Sequence, residues 1–208
     1  MIVTLITSSD KMKSEIPVII SLFKNGLPVL HVRKPKFSTR KMKEYLDSIP
    51  EEFHSRIIIH SHHSLVFKYK LKGIHFTRTH LKKKYQSRFK MVWYRLRRPG
   101  LFITRSFHHL ESMKNNHIKY SYVFLNPFFS KTEFQKLHFD IGKDFLNRQI
   151  KEYSIPVYAS GNINNENISL LNQYFLSGAG LSKIILEAEN PVLKYLEICH
   201  QLKSESKG

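Results

Sequence analysis

Apolar residues along the chain fall into eight short runs, separated by stretches whose apolar positions return every three or four residues. The short runs are rich in β-branched and aromatic residues and read as strands, and the longer stretches read as helices. Ile2 to Thr7 is a first strand. Lys11 to Lys24, with Ile16, Ile19, Ile20 and Phe23 on one face, is its helix, closed by Asn25-Gly26. Pro28 to Arg33 is a second strand, and Ser38 caps a helix carrying Met42, Tyr45, Leu46 and Ile49. Arg56 to His60 contains three consecutive isoleucines, the mark of a strand buried on both faces. Leu65 to Leu71 is a short helix and Gly73 to Thr77 a fourth strand. Leu101 to Ser106 is the fifth strand, Leu110 to Asn115 a brief helix, and Tyr120 to Leu125 the sixth strand. Phe139 to Tyr153 reads as a helix with Phe145, Leu146 and Ile150 inward, and Ile155 to Ser160 as the seventh strand. Asn165 to Phe175 is a helix, Ala179 to Ile185 the eighth strand, and Pro191 opens a last helix through Cys199 and Leu202.

Eight strands alternating with eight helical or loop segments predict an α/β fold, a single (β/α)8 TIM barrel over residues 1–202 followed by a polar tail, 203–208. A doubly wound open sheet is the structural alternative. The 208 residues suit one such domain, and 41% hydrophobic composition with 15 Phe and 10 Tyr fills a sizeable core. One cysteine, Cys199, excludes an internal disulfide framework and multi-cysteine metal centres, and points to a reducing compartment. With no basic region before the first apolar run and no span of about 18 apolar residues, a cytoplasmic protein that does not cross a membrane is expected.

Charge changes the picture. Lys and Arg total 34 against 16 Asp and Glu, a formal charge of +18. No acidic residue lies between Phe53 and Leu110, and the segment from Arg78 to Arg98 is dense in Lys and Arg interleaved with Tyr85, Phe89, Trp93 and Tyr94. A nucleic-acid partner is therefore one reading. The plainer one makes Tyr85, Phe89 and Trp93 the core face of a helix with solvated cations around it.

In a (β/α)8 barrel the chemistry sits at the carboxyl ends of the strands, so the residues closing each apolar run are the candidates. Here they are His31, Arg33 and Lys34 after strand two; His60, Ser61, His62 and His63 after strand three; and His75 and Thr77 on strand four. Arg105, Ser106, His108 and His109 close strand five, Asn126 and Ser130-Lys131-Thr132 follow strand six, Gly161 and Asn162 follow strand seven, and Ser182-Lys183 lie toward the end of strand eight. Arg33, Lys34, Arg105 and Lys131 on one rim would form a pocket for a phosphorylated or pyrophosphorylated small molecule. Gly161 adds a backbone N–H that a phosphate can approach, beside a helix beginning near Asn164. His60, His62 and His63, bridged by His31 or His108, have a spacing a metal could use, but no metal ligand set is assigned. A histidine acting in acid–base chemistry near pH 7 is the better use, and His75, between Ile74 and Phe76, reads as a hydrogen-bonded interior residue. Dinucleotide, P-loop, zincin and hydrolase-elbow motifs are absent from the sequence.

The runs Leu30-His31-Val32-Arg33-Lys34, Ile57-Ile58-Ile59-His60, Gly73-Ile74-His75-Phe76, Ser106-Phe107-His108, Tyr122 to Phe129 and Pro156 to Ile163 come in the order and spacing of a known motif ladder. The chain resembles the thiamine phosphate synthase and thiazole tautomerase superfamily over nearly its whole length. The resemblance implies joining of hydroxymethylpyrimidine pyrophosphate to a thiazole phosphate carboxylate, with loss of pyrophosphate and carbon dioxide, magnesium serving the pyrophosphate. It implies catalytic roles for His31, Arg33, Lys34, His60, Ser106 and His108. Substrate or phosphate binding would fall to Asn126, Ser130, Lys131, Thr132, Gly161, Asn162, Ser182 and Lys183. The carry-over is partial: His31 replaces the family's glutamine, Lys34 stands one place early, and Asn162 replaces the second phosphate-binding glycine. His60-Ser61 stands where the family has asparagine–aspartate, and Thr77 to Lys84 lacks the second metal aspartate. Tautomerisation of a thiazole phosphate, or binding without turnover, is the alternative. The sequence leaves the oligomeric state open.

Overall fold

The computed structural model describes residues 1–9, 15–77, 84–116, 118–129 and 142–204. Eight parallel strands close into a barrel in sequence order: β1 (Ile2–Ile6), β2 (Leu30–Val32), β3 (Ile57–Ile59), β4 (Gly73–Phe76), β5 (Phe102–Phe107), β6 (Tyr122–Leu125), β7 (Val157–Ser160) and β8 (Gly178–Leu181), with β8 pairing back onto β1. Between them run α1 (Glu15–Lys24), α2 (Thr39–Asp47), α3 (Leu65–Lys68), α4 (Lys84–Arg97), α5 (Leu110–Lys114), α6 (Lys143–Glu152), α7 (Lys183–Leu186) and α8 (Pro191–Ser204). Among the described residues, 3-10 turns at Glu51–Arg56 and Ile168–Gln173 add to the outer layer. The barrel is the expected fold, and the open sheet is excluded by its closure.

Period-two alternation splits the core in two. Val3, Leu5, Leu30, Val32, Ile57, Ile59, Ile74, Ile103, Val123 and Leu125 point outward into the layer shared with the helices. Val29, Ile58, Tyr122, Phe124 and Tyr158 point into the barrel and pack with Ile6 and Phe102. The three isoleucines of β3 thus serve both faces. Gly178 and Gly180 are inward positions, where a Cβ would lie 2.5 Å from the Tyr158 ring and 2.6 Å from the Phe124 ring. Glycine there makes room for the aromatic filling of the barrel.

Several elements differ from their sequence expectation. Ser38 does cap α2, its hydroxyl accepting from the Lys41 N–H. The eighth strand, however, ends at Leu181, and Lys183 opens a short helix instead of extending a strand. The stretch from Asn165 holds a single 3-10 segment. On α6, Leu146 and Ile150 are buried, whereas Phe145 is exposed. On α4 the buried stripe is Met91 and Tyr94, while Phe89 is 73% exposed and Trp93 is also exposed. Tyr94 stacks on Phe67, with centroids 5.4 Å apart, and Arg98 donates to the carbonyls of Val66, Lys70 and Leu71. Those contacts turn the helix nearly half-way round from the face its aromatic spacing suggested. Residues 78–83 and 205–208 lie outside the described residues, as do the first three residues of the helix expected from Phe139.

Candidate active site

At the carboxyl end of the barrel a cavity of about 190 Å³ is walled by Ile6, Arg33, His60, His75, Thr77, Ser106, His108, Phe124, Asn126 and Ser160. Each polar member is the last inward residue of its strand, or the first beyond it, so strand register alone brings them together. Beneath lies a web of imidazoles and hydroxyls. Nε2 of His60 is 3.0 Å from Nδ1 of His31, and Nε2 of His31 pairs with the Tyr122 hydroxyl. His75 uses Nδ1 on the Thr104 hydroxyl at 2.9 Å and Nε2 on the Ser106 hydroxyl at 3.2 Å. The His60 and His75 rings stack with centroids 4.1 Å apart. Burial alone lowers the His31 pKa from 6.5 to about 3. His60 is also held well below its ordinary range, first by burial and then by the positive charge that His75, His31, Arg33 and His63 would add. Both rings are therefore neutral at pH 7 and able to accept a proton or a Lewis acid through a ring nitrogen.

Of the expected catalytic residues, the geometry brings Arg33, His60, Ser106 and His108 to the cavity wall. His31 is fully buried and not part of the cavity wall, and it touches the wall through His60, His75 and Phe124. Lys34 corrects the sequence reading. It is 2% exposed, 2.8 Å from Glu15 Oε2, and its Nζ also donates to the Ser8 carbonyl at 2.7 Å. The ammonium is turned inward to α1 because Glu15 sits buried there, itself accepting from the Tyr45 hydroxyl at 3.0 Å. Arg105 is also off the rim. It alternates with the inward Thr104 and Ser106, so it faces the helix layer, over the Phe107 ring and toward Asn116. His62 and His63 turn away as well, His62 to the Phe37 carbonyl and Thr39, His63 to the His75 carbonyl. The imidazole cluster is instead His31, His60 and His75, one from or just beyond each of three neighbouring strands. Their inward placement on β2, β3 and β4 was the sequence signal for it, and His75 was missed as its third member.

The expected phosphate-binding residues divide. Asn126 joins the cavity, its Nδ2 donating to Ser160 Oγ at 2.8 Å. Gly161 has φ +85°, and a Cβ there would lie 3.0 Å from Pro127 Cα and 3.2 Å from Asn126 Oδ1. Glycine is required for the β6 and β7 loops to touch. Asn162 (φ 55°) and Lys183 line a second, open cleft of about 1030 Å³ beyond β7 and β8. Near Asn164 the backbone N–H groups of Glu166 and Asn167 are already taken, both donating to Asn164 Oδ1. Lys183 is exposed, 3.7 Å from Glu187, and Ser182 precedes α7 without being part of either wall. Ser130, Lys131 and Thr132 lie outside the described residues.

Magnesium does not fit the residues present. It takes oxygen ligands, chiefly carboxylates, whereas the cavity wall is imidazole, guanidinium, hydroxyl and amide among the described residues.

The structure resembles thiamine phosphate pyrophosphorylase from Bacteroides thetaiotaomicron at TM-score 0.72 and 25% identity, covering 99% of this chain and 97% of that one. It resembles the Pyrococcus furiosus thiamine phosphate pyrophosphorylase at TM-score 0.76 and 16% identity, over 98% and 96%. It also resembles (S)-3-O-geranylgeranylglyceryl phosphate synthase from Thermoplasma acidophilum at TM-score 0.65 and 15% identity, over 97% and 92%. Among curated proteins none matches the sequence. A sequence profile described as thiamine monophosphate synthase matches residues 3–184, a span that contains all eight strands and every residue of the cavity wall; the chain belongs to the thiamine monophosphate synthase family.

Proposed function

We propose that the barrel mouth joins hydroxymethylpyrimidine pyrophosphate to a thiazole phosphate carboxylate. The observation that carries this reading is the cavity wall itself. Within a chain of this family, Arg33, His60, His75, Ser106, His108 and Asn126 are gathered at the strand ends where barrel chemistry is done. In the reaction, the bond between the pyrimidine methylene carbon and the pyrophosphate oxygen breaks, and its electron pair leaves with pyrophosphate. The thiazole nitrogen lone pair forms the new carbon–nitrogen bond. Loss of the carboxylate as carbon dioxide returns an electron pair to the ring carbon, which takes up a proton. Arg33 supplies positive charge, and His108 a hydrogen bond, to the departing pyrophosphate, joined by Lys131 of the loop the resemblance assigns to phosphate. Ser106 and Asn126 orient the pyrimidine. His60, neutral and hydrogen-bonded to His31, relays the ring proton, while His31 positions it. Asn162 and Lys183 line the cleft that suits the thiazole phosphate, just beyond Gly161.

The Tyr122–His31–His60 chain favours a second reading, proton transfer alone, as in tautomerisation of a thiazole phosphate. One assay separates the two. Purified protein incubated with both substrates forms thiamine phosphate if the first reading is right, with His108→Ala and Arg33→Ala each lowering the rate about 10²-fold or more. Exchange of a thiazole ring proton with solvent, without thiamine phosphate, replaces the first reading by the second. Neither product nor binding overturns both.

A further inference from the structure

We propose that His31, His60 and His75 form a binding site for a divalent transition ion of zinc or cobalt type, with one coordination position open to the substrate cavity. One nitrogen from each of the three lies within 4.8 Å of the other two. The His31 Nδ1 to His60 Nε2 separation is already 3.0 Å. Two imidazole nitrogens on a tetrahedral ion with bonds of about 2.0–2.1 Å stand about 3.3 Å apart. Bringing His75 to that spacing closes a gap of at most about 1.5 Å, and the His60 and His75 rings, stacked with centroids 4.1 Å apart, tilt out of the stack so that both lone pairs point at the ion.

The outer ring nitrogens of His31 and His75 are held as they are around bound metals. The Tyr122 hydroxyl occupies Nε2 of His31, leaving Nδ1 to face His60, and the Thr104 hydroxyl occupies Nδ1 of His75, leaving Nε2 toward Ser106 and the mouth. Such partners fix the tautomer and orientation of metal-bound histidines. His60 and His75 line the cavity, so an ion held by the three imidazoles meets solvent or a ligand oxygen on that side. Three protein ligands with a fourth position open is the arrangement of catalytic rather than structural zinc sites. All-nitrogen coordination selects borderline ions over magnesium or calcium. Arg33 borders the same cavity, so the anion such an ion would take in its open position is a phosphate or pyrophosphate oxygen. The metal site stands on the geometry alone, and only the last step rests on the proposed reaction.

The test uses full-length protein stripped with a chelator and dialysed. Cobalt(II) titration is expected to give the intense visible absorption of tetrahedral coordination at one ion per chain, displaced by zinc. His60→Ala and His75→Gln are each expected to weaken cobalt binding about 100-fold or more. His109→Ala, on the exposed surface, leaves it unchanged and reports adventitious binding by other histidines. Circular dichroism and urea midpoints check that the variants fold. Should one fail to fold, the wild-type spectrum is decisive: inorganic pyrophosphate shifts the cobalt bands if the open position faces the cavity. Octahedral spectra only, stoichiometry unaffected by His60→Ala and His75→Gln, or no spectral response to pyrophosphate each overturn the proposal. Because these readouts involve no turnover, failure of the metal site is distinguishable from failure of the synthase reading, which thiamine phosphate formation reports separately.

Discussion

Lys34 and Glu15 form an ion pair in which both side chains are almost entirely removed from water, 2% and 4% exposed. Removing one partner strands the other charge in a low-dielectric setting. Lys34→Met is expected to cost about 3–5 kcal/mol in urea unfolding, and the double variant Lys34→Met with Glu15→Gln to recover most of it. The histidines under the cavity carry the opposite lesson. In metal-free protein the folded His31 resists protonation down to about 3, while the unfolded chain takes the proton near 6.5. Stability is complete above pH 6.5 and drains as pH falls toward 3, His60 adding to the loss in the same direction. Between pH 6.5 and 5.0, His31 alone is expected to remove about 2 kcal/mol. Urea midpoints of chelator-treated protein across that window check it, and a flat profile would contradict the buried neutral cluster. None of this was legible in the residue types, because a lysine beyond a strand end reads as a rim cation until its acidic partner is located.

At the level of elements, two glycines on opposite sides of the barrel, Gly73 on β4 and Gly180 on β8, test how it closes. A Cβ at Gly73 would lie 2.1 Å from the Phe102 carbonyl oxygen, a backbone atom of the strand paired with it. Gly73→Ala is expected to cost about 3 kcal/mol or more because β4 and β5 must part. Gly180→Ala meets only the Phe124 ring and the Ile6 methyl end, which can turn aside, and is expected to cost about 1–2 kcal/mol. On α4, Met91→Ala is expected to lose about 2–5 kcal/mol, whereas Leu96→Ser, at a position 77% exposed, changes stability by less than about 0.5 kcal/mol. Thermal and urea melts of the pair distinguish the docked stripe from the free one. Helical spacing predicted this helix but chose the wrong face. Its sequence carries two apolar stripes, and the choice was made by Phe67 and by the carbonyls that Arg98 caps, all on α3 and the loop after it.

For the whole molecule, the +18 charge sets a long-range field that any anionic ligand meets before the site does. A chain that works on small phosphates and one that coats nucleic acid differ in salt dependence. Duplex DNA affinity in fluorescence anisotropy is expected to collapse on raising salt from about 50 to 200 mM, in proportion to the phosphates contacted. A dissociation constant tighter than about 10⁻⁶ M at physiological salt would restore the nucleic-acid reading. Among the described residues no helix is long and apolar enough to cross a membrane.

The sequence by itself determined the eight-fold alternation, the parallel barrel it closes into, and the end at which the polar residues gather. Those follow from period-two and period-3.6 patterns and from which residue ends each apolar run, all properties of neighbours along the chain. It also placed Arg33, His60, Ser106, His108 and Asn126, because the last inward residue of a barrel strand has only the mouth to face. Tertiary structure alone decided that Lys34 turns to Glu15 and that His31, His60 and His75 meet within 4.8 Å. Both depend on the register of elements that are distant in sequence, as with His31 and His60, 29 positions apart. That register is set by closure of the barrel, and no local pattern records it.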